Sequence, residues 1–404
     1  MFKKFKTLNR RQPVIKKEFK SYYLNQTPSN TKLTEANYAS LVLNGYNSNV
    51  IANKCINMIA QCVSSVEYDV FNLNTNELID NSNLENAIGN SNQNNGTDFI
   101  QSIVRSLMMS GNCYISCVKN YLGLIENFSI LRPDKVSIVV DANLNPVQYI
   151  YSKGTKTQYF DIDTSNESSY CEILHIKLEN PLDEIYGLAP LYTARFSIDQ
   201  YNEAIAWNKS LLENGARPSG ALVFESQSGS GDLTDDQFDR LKNQLASQFS
   251  GGKNAGKVMV LEGGLRWQEM SINPKDMDFI QTKNSAARDI AIAFGVPANL
   301  LGIQGDNTYS NMSEARIGFW EDTVLPLTKF IYSRLQNFYN LSCQDVCRVK
   351  LDTDSISALT EKREKMWGYV QASTFLTTNE KRNMLGFQSL QSSDNSKSYD
   401  SIQS

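Results

Sequence analysis

At residues 188–214 the chain reads LAPLYTARFSIDQYNEAIAWNKSLLEN, and this stretch decides the fold. Apolar residues recur on or near one stripe of it: Leu191, Ile198, Tyr201, Ile205 and Leu212. That spacing predicts a long amphipathic helix, and Gly215 follows where glycine commonly ends one. A second helix is predicted over residues 274–294. Two long helices therefore flank the insert at residues 215–273.

The insert itself is predicted to be a small α/β unit. Thr234 and Gln237 have the spacing of a capping box, and apolar residues at helical spacing follow them. Strands are predicted at residues 257–261 and 265–269. The insert thus resembles a compact module between two helices.

The remaining patterns predict an α+β protein. Upstream, residues 49–66 and 97–109 show helical apolar spacing, and β-rich runs separated by turn signals predict an antiparallel meander over residues 112–177. Downstream, Asn311 and Glu314 can cap a third long helix, and Pro326 inside that helix predicts a kink.

Composition limits the class of protein. The chain is 41% hydrophobic and 20% charged, which is typical of globular proteins. Its 404 residues are enough for two or three packed units. No apolar run approaches the roughly 18 residues of a membrane span, and the N-terminus lacks the apolar core of a signal peptide. We expect a soluble, non-secreted protein that has no membrane contact.

Cysteine usage argues against both disulfides and a metal centre. The seven cysteines are odd in number and include no Cys-x-x-Cys pair. They are Cys55, Cys62, Cys113, Cys117, Cys171, Cys343 and Cys347. Because His175 is the single histidine, a zinc site would have to collect ligands from distant segments. We expect buried free thiols, no metal and no cofactor.

Charge is distributed unevenly along the chain. Residues 1–20 contain eight Lys or Arg against Glu18 alone, a net charge of +7, which leaves −11 for the remainder of a chain whose net charge is −4. Tight DNA binding needs Lys and Arg against phosphates. An acidic body argues against tight DNA binding, but it does not argue against a conduit through which DNA slides.

Three segments could carry chemistry, and each has a plainer interpretation. The stretch GGKNAGKV at residues 251–258 resembles a phosphate-binding loop, but Val258 replaces the magnesium-binding hydroxyl and the loop joins helix to strand, the reverse order. The pairs Asp161/Asp163 and Asp352/Asp354 could hold a divalent ion for a nuclease, although turn-like neighbours favour surface loops. We expect no catalytic residues.

Seven uncommon segments occur in a fixed order, and with them the chain resembles the phage portal family of long-tailed phages. They are SGNCYISCVKNYLG (110–123), LRPDKVSIVVD (131–141), EILHIKLENPLDEIYGLAPL (172–191), ENGARPSGAL (213–222), AIAFGVPANLLG (291–302), TYSNMSEARIGFWEDTVLPL (308–327) and LTTNEKRNMLG (376–386). Each is weak alone, but together they span most of the chain.

The resemblance implies a portal fold assembled as a ring of twelve subunits, each with an α/β wing, a two-helix stem, a small α/β clip and a short helical crown. Carried onto this chain the parts are a basic flexible arm (1–20), wing (21–187), first stem helix (188–214), clip (215–273), second stem helix (274–294), tunnel loop (295–310), kinked helix returning to the wing (311–349), crown (350–388) and disordered tail (389–404).

The resemblance also implies functional residues. In the tunnel loop, Val296, Asn299, Leu300 and Ile303 match positions that face the DNA channel; alternatively, Leu300 and Leu301 pack inward on the wing. In the clip, the matching contact residues for the terminase large subunit, and later for a head-completion or adaptor protein, are Arg217, Pro218, Lys253 and Lys257.

The implied function is DNA packaging and ejection at one vertex of the virion, after assembly in the host bacterial cytoplasm. Further implied partners are the major capsid protein or a scaffold, and double-stranded DNA that passes without sequence-specific contacts. Three rival interpretations remain: a packaging ATPase, a metal-dependent nuclease and a structural head protein that forms no channel.

Overall fold

The computed structural model describes residues 14–16, 34–35, 37–80, 82–91, 95–121, 123–162, 171–213, 220–224, 240, 265–269, 279–303, 309–342, 346–387 and 389–390. Within these ranges the helices are α1 (Tyr38–Leu41), α2 (Val50–Ser64), α3 (Asn83–Gly89), α4 (Gly96–Ser110), α5 (Pro190–Thr193), α6 (Arg195–Glu213), α7 (Phe279–Ala293), α8 (Tyr309–Gly318), α9 (Leu325–Ser342), α10 (Thr360–Ala372) and α11 (Thr378–Met384). Two π-helical segments are Val42–Asn47 and Phe319–Val324.

The strands form four antiparallel sheets within the described ranges. They are β1 (Val14–Lys16), β2 (Glu67–Asn72), β3 (Asn112–Lys119), β4 (Ile125–Leu131), β5 (Val136–Val140), β6 (Pro146–Lys153), β7 (Lys156–Asp161), β8 (Ile173–Lys177), β9 (Gly220–Phe224), β10 (Leu265–Glu269) and β11 (Cys347–Asp352). The sheet orders are β4-β3-β8, β1-β5-β6-β7, β2-β11 and β9-β10.

The centre of the core is the pair α2 and α4, as the apolar spacing predicts. Asn49 begins α2 by accepting hydrogen bonds from the backbone N–H groups of Ile51 and Ala52. The inward faces are fully buried: Ala52, Cys55, Ile56, Ile59 and Val63 on α2, with Phe99, Ile100, Ile103, Val104, Leu107 and Met108 on α4. Burial of this stripe holds the two helices together.

The predicted β region is antiparallel, but it divides into two sheets instead of running as one meander. Strands β5, β6 and β7 do follow one another as a meander, whereas β8 returns to pair with β3. Tyr114 and Ile115 point to opposite faces of β3, and both are fully buried. Ile115 belongs to the main apolar cluster and Tyr114 to a second one, so each face of β3 packs against its own cluster, while β4 and β8 pair with its two edges.

The two long helices predicted to flank the insert form close to the predicted positions. The first begins at Pro190 instead of residue 188, because proline favours the first helical position; it is interrupted at Ala194 and continues as α6. In α7 the side chains facing the core include Ala286, Ala287 and Ile290. The structure describes α7 from Phe279, so its predicted beginning at residue 274 lies outside the described residues.

The third long helix is irregular just before Pro326, where a kink was predicted. The π-helical turn Phe319–Val324 lies just before it and separates α8 from α9. Proline has no N–H to donate to the carbonyl four residues earlier and its ring crowds that carbonyl, so the regular ladder cannot continue. The predicted cap at Asn311 is wrong, because α8 begins two residues earlier, at Tyr309.

Three predicted boundaries need correction. The arm at residues 1–20 is not wholly flexible, since residues 14–16 form β1 and pair with Val140, Val139 and Ile138 at the open edge of β5. The crown cannot begin at residue 350, because β11 runs to Asp352 and pairs along β2. The tail begins later than residue 389: Leu390 exchanges hydrogen bonds with the side chain of Asn379. Residues 391–404 lie outside the described part.

Candidate functional site

The loop after α7 is a tight turn, held at both ends by left-handed glycines. Gly295 has φ +66 and Gly302 has φ +72, and the single turn Ala298–Leu301 lies between them. The N–H of Val296 donates to the carbonyl of Ala291 at 2.9 Å, which ties the loop back onto α7. The loop path is therefore set by the end of α7.

Two of the four predicted channel residues are in the core, so that part of the prediction is wrong. Val296 is 2% exposed and Ile303 is 8% exposed, and both belong to the main apolar cluster. Burial of these two side chains in the apolar cluster is favourable because it removes apolar surface from water. Asn299 and Leu300 are partly exposed. Leu300 and Leu301 also pack against the core, as the alternative interpretation predicts.

A contact missed in the sequence joins this loop to the π-helical turn. The Thr323 hydroxyl donates to the carbonyl of Gly295 at 2.6 Å. A Cβ on Gly295 would lie 2.7 Å from the same hydroxyl oxygen, so the contact also requires glycine. The proline-induced break in the helix ladder was predictable from Pro326, but the side chain that it places against the loop was not.

The two long helices α6 and α7 expose large apolar side chains. They are Phe196, Ile205 and Trp207 on α6, with Ile280 and Ile292 on α7. Ile292 is 75% exposed although it lies within a helix whose opposite face is buried. Exposed apolar groups on adjoining elements mark contact surfaces for another molecule. These two helices therefore present a surface suited to a partner.

A second set of contacts, called the Asn112 junction below, joins two of the uncommon segments at SGN (110–112) and YG (186–187). The Asn112 amide oxygen accepts from the N–H of Gly187 at 2.8 Å, and its nitrogen donates to the carbonyl of Ser110 at 2.9 Å. His175 Nε2 lies 3.0 Å from the same amide oxygen. These residues join the start of β3 to the segment that leads into α5.

His175 serves the Asn112 junction. Its ring stacks on Tyr114 with centroids 4.4 Å apart and meets Tyr149 edge-on. Burial, aided by the nearby charge of Lys177, lowers the pKa of His175 to about 3. The ring is neutral at physiological pH, and its Nε2–H is the donor that pairs with Asn112.

The aspartate pairs have ordinary surroundings where the structure describes them. The N–H of Asp354 donates to the Asp352 carboxylate at 2.7 Å, and the Asp354 carboxylate pairs with Arg363 at 2.8 Å. Such local bonding is typical of a turn. Asp161 accepts from the amide of Gln148, and Asp163 lies outside the described residues. Among the described residues, no group of three His, Cys, Asp or Glu is placed to hold a metal.

Cysteines in the described ranges are free thiols, and burial raises the pKa of Cys55 and of Cys113 to about 12.

Within the described ranges no helix has the length and apolarity to span a membrane. Within the insert at residues 215–273, which the resemblance predicts to be a clip, the described residues form one strand pair, β9 with β10, with Gly220 opposite Glu269. The predicted contact residues Arg217, Pro218, Lys253 and Lys257, and the loop at 251–258, lie outside the described part.

Comparison with known proteins gives a consistent result. The sequence profile of the phage portal protein family matches residues 51–386. An uncharacterised protein of Rickettsia bellii is 43% identical over 353 residues, covering 87% of this chain and 90% of the relative.

Two solved structures of gene transfer agent (GTA) particles are also similar. A chain in the neck of an empty particle, computed with C6 symmetry, is 34% identical with TM-score 0.68, covering 87% of this chain and 94% of that one. One in the neck of a native particle, computed with C12 symmetry, is 33% identical with TM-score 0.67, covering 89% and 96%.

Proposed function

Since this chain belongs to the phage portal protein family, we propose that it is one subunit of a ring-shaped channel at a single vertex of a phage-like particle, through which DNA is packaged and ejected. The observation that carries the proposal is the likeness to GTA neck chains over nearly the whole described fold. The two alignments cover 87% and 89% of this chain.

The surface of the stem supports assembly into a ring. A closed ring is built by head-to-tail contacts, in which one face of each subunit packs on a different face of the next. The exposed apolar residues of α6 and α7 supply two such faces on neighbouring helices. The C12 symmetry of the native GTA neck supports a ring of twelve.

A passive role for the ring is consistent with its charge. Outside residues 1–20 the chain carries a net charge of −11, so the body offers little net attraction to phosphates. In this proposal Asn299 and Leu300, which are partly exposed, face the passing DNA. Neither side chain is charged, so neither can form an ion pair with a phosphate. ATP hydrolysis then belongs to a separate terminase.

Docking is assigned to the clip. In this proposal Arg217, Pro218, Lys253 and Lys257 contact the terminase large subunit during packaging, and a head-completion or adaptor protein afterwards. The major capsid protein or a scaffold surrounds the wing. The assembled ring resides in the virion, after formation in the bacterial cytoplasm.

Electron microscopy of the purified protein tests the proposal. We expect end-on views of closed rings with a central hole, and class averages that count twelve subunits. A concentration series separates weak assembly from none, because ring formation follows mass action. Monomers at every protein and salt concentration would contradict the channel function.

A further inference from the structure

A groove of about 820 Å³ lies between the segment leading into α5 and the break that precedes α9. Its floor consists of apolar side chains: Ile59, Met108, Phe294, Leu327 and Phe330. Phe330 is already covered on one side by the guanidinium of Arg334, 5.4 Å from the ring centroid. The remaining floor can receive two or three apolar side chains of an extended segment.

The rim of the groove is acidic. Glu179, Asp183 and Glu184 line one bank, and Asp322 lies on the other. Of the two cations that also line it, Lys177 donates to the backbone carbonyl of Glu184 and Arg334 lies over Phe330. Four carboxylates against two cations give the rim a formal net charge of −2, which favours an occupant with positive charges between its apolar residues.

The beginning of the chain has this composition. Residues 1–11 read MFKKFKTLNRR, which places Phe2, Phe5 and Leu8 at intervals of three. Five basic residues, Lys3, Lys4, Lys6, Arg10 and Arg11, lie among and after them, and no acidic residue does. The apolar residues of this segment complement the apolar floor of the groove, and its basic residues complement the acidic rim.

The strand β1 holds this segment near the groove. Lys16 of β1 is opposite Ile138, whose N–H lies 3.4 Å from the hydroxyl of Tyr186. Tyr186 is in the same short loop as Asp183 and Glu184, which line the groove. The 13 residues before Val14 can extend about 43 Å, enough to reach a groove whose rim loop contacts the partner strand of β1.

We propose that residues 1–13 dock in this groove of their own subunit, with Phe2 and Phe5 on the apolar floor and the basic side chains against the acidic rim. The arm then covers apolar surface beside the tunnel loop, since Phe294 belongs to the floor and directly precedes Gly295. This assignment is independent of the channel function.

Photocrosslinking of the full-length chain tests the occupant. A benzophenone amino acid replaces Phe5, and mass spectrometry maps the products formed in a mixture of ¹⁵N-labelled and unlabelled chains. We expect crosslinks to peptides that contain Phe294, Leu327 or Phe330, with both partners from one isotopic pool. Crosslinks to a second chain, to capsid protein or to DNA would overturn the proposal, and so would the absence of crosslinks to the groove.

Thiol reactivity gives a second, independent measurement. Leu327→Cys is introduced into the full chain, in which serine also replaces Cys62, Cys171 and Cys343. Two such chains are compared: one has the native arm, and the other carries Phe2→Ser, Phe5→Ser and Leu8→Ser. We expect maleimide labelling to be about tenfold slower with the native arm, because burial of two phenylalanine side chains favours the docked state by at least that factor in the docking equilibrium. Higher salt should reduce this protection.

The control variant places the cysteine at Tyr121, which is 95% exposed on the turn after β3. It should react at one rate with either arm. Circular dichroism identifies any variant that fails to fold. Equal labelling of Leu327→Cys in the two folded chains would contradict docking.

Discussion

Gly111 and Gly187 cross backbone against backbone, so that a Cβ on Gly111 would lie 2.5 Å from the carbonyl oxygen of Gly187. The carbonyl of Gly111 accepts from the N–H of Leu178 at 2.9 Å, and Asn112 binds the N–H of Gly187 at 2.8 Å. Close approach of two chains requires residues without side chains. This crossing sets the position from which the chain enters α5 and then α6.

The first prediction concerns Gly187→Ala. The added Cβ would lie 2.7 Å from the carbonyl oxygen of Leu178 and 2.8 Å from its nitrogen, and backbone atoms cannot move aside as a flexible side chain can. We expect the free energy of unfolding to fall by about 2–3 kcal/mol, measured by urea denaturation.

Gly368→Ala is its matched control. Gly368 lies inside α10, and nothing is within 4 Å of the position of its Cβ. Alanine is the better helix former, so this change should raise stability by up to about 1 kcal/mol. Equal effects of the two substitutions would contradict the steric explanation.

The elements predicted best are those in which local pattern and tertiary packing agree. Apolar spacing placed α2 and α4 within two residues because one stripe of each helix is buried and the rest is not. The strand at residues 265–269 was predicted with its observed bounds. Pro326 indicated the break before α9, since proline acts on the backbone itself.

Predictions failed where distant residues decide the outcome. Val296 and Ile303 have the sequence context of an exposed loop, but both side chains are buried in the main apolar cluster. The pairing of β1 with β5 and of β11 with β2 depends on strand edges that are far away in sequence. Local periodicity carries no information about such neighbours, so the flexible arm and the crown boundary were misplaced.

The second prediction is a pH dependence that originates at His175. Its pKa falls from an ordinary value near 6.5 to about 3 on folding, so the unfolded chain binds a proton more readily. The stabilisation is fully present above pH 6.5 and is lost progressively as the pH falls toward 3. Between pH 7 and pH 5 the native chain should lose about 2 kcal/mol through this group.

His175→Gln is the test of that assignment. Glutamine keeps an N–H donor for Asn112 and does not titrate, whereas the carboxylates that also respond to acid are unchanged. The variant should therefore lose less stability than the native chain between pH 7 and pH 5, measured by urea denaturation at each pH. The same pH slope in both proteins would exclude His175 as the source.

The third prediction separates two roles within the tunnel loop. Val296→Ala removes buried methyl groups and should lower the free energy of unfolding by about 1–3 kcal/mol. Leu300→Ser changes a partly exposed side chain, so rings should still form while the DNA content of assembled particles changes. Unchanged DNA content in the Leu300→Ser particles would argue against contact between this residue and DNA.

The fourth prediction concerns the faces that join subunits. Ile292→Glu on α7 and Trp207→Glu on α6 each place a carboxylate on a stem surface that is exposed in the single chain. In a ring that buries this surface the charge would lose its water, which costs several kcal/mol when it finds no partner.

We expect each variant to sediment as a folded monomer at concentrations where the native chain forms rings. Tyr121→Glu, on a turn of the wing that is 95% exposed, should assemble normally. Circular dichroism separates a folded monomer from a misfolded chain. Rings formed equally well by all three variants would mean that the subunits meet through other surfaces than the stem, because a repeated contact cannot tolerate the same buried charge at every interface.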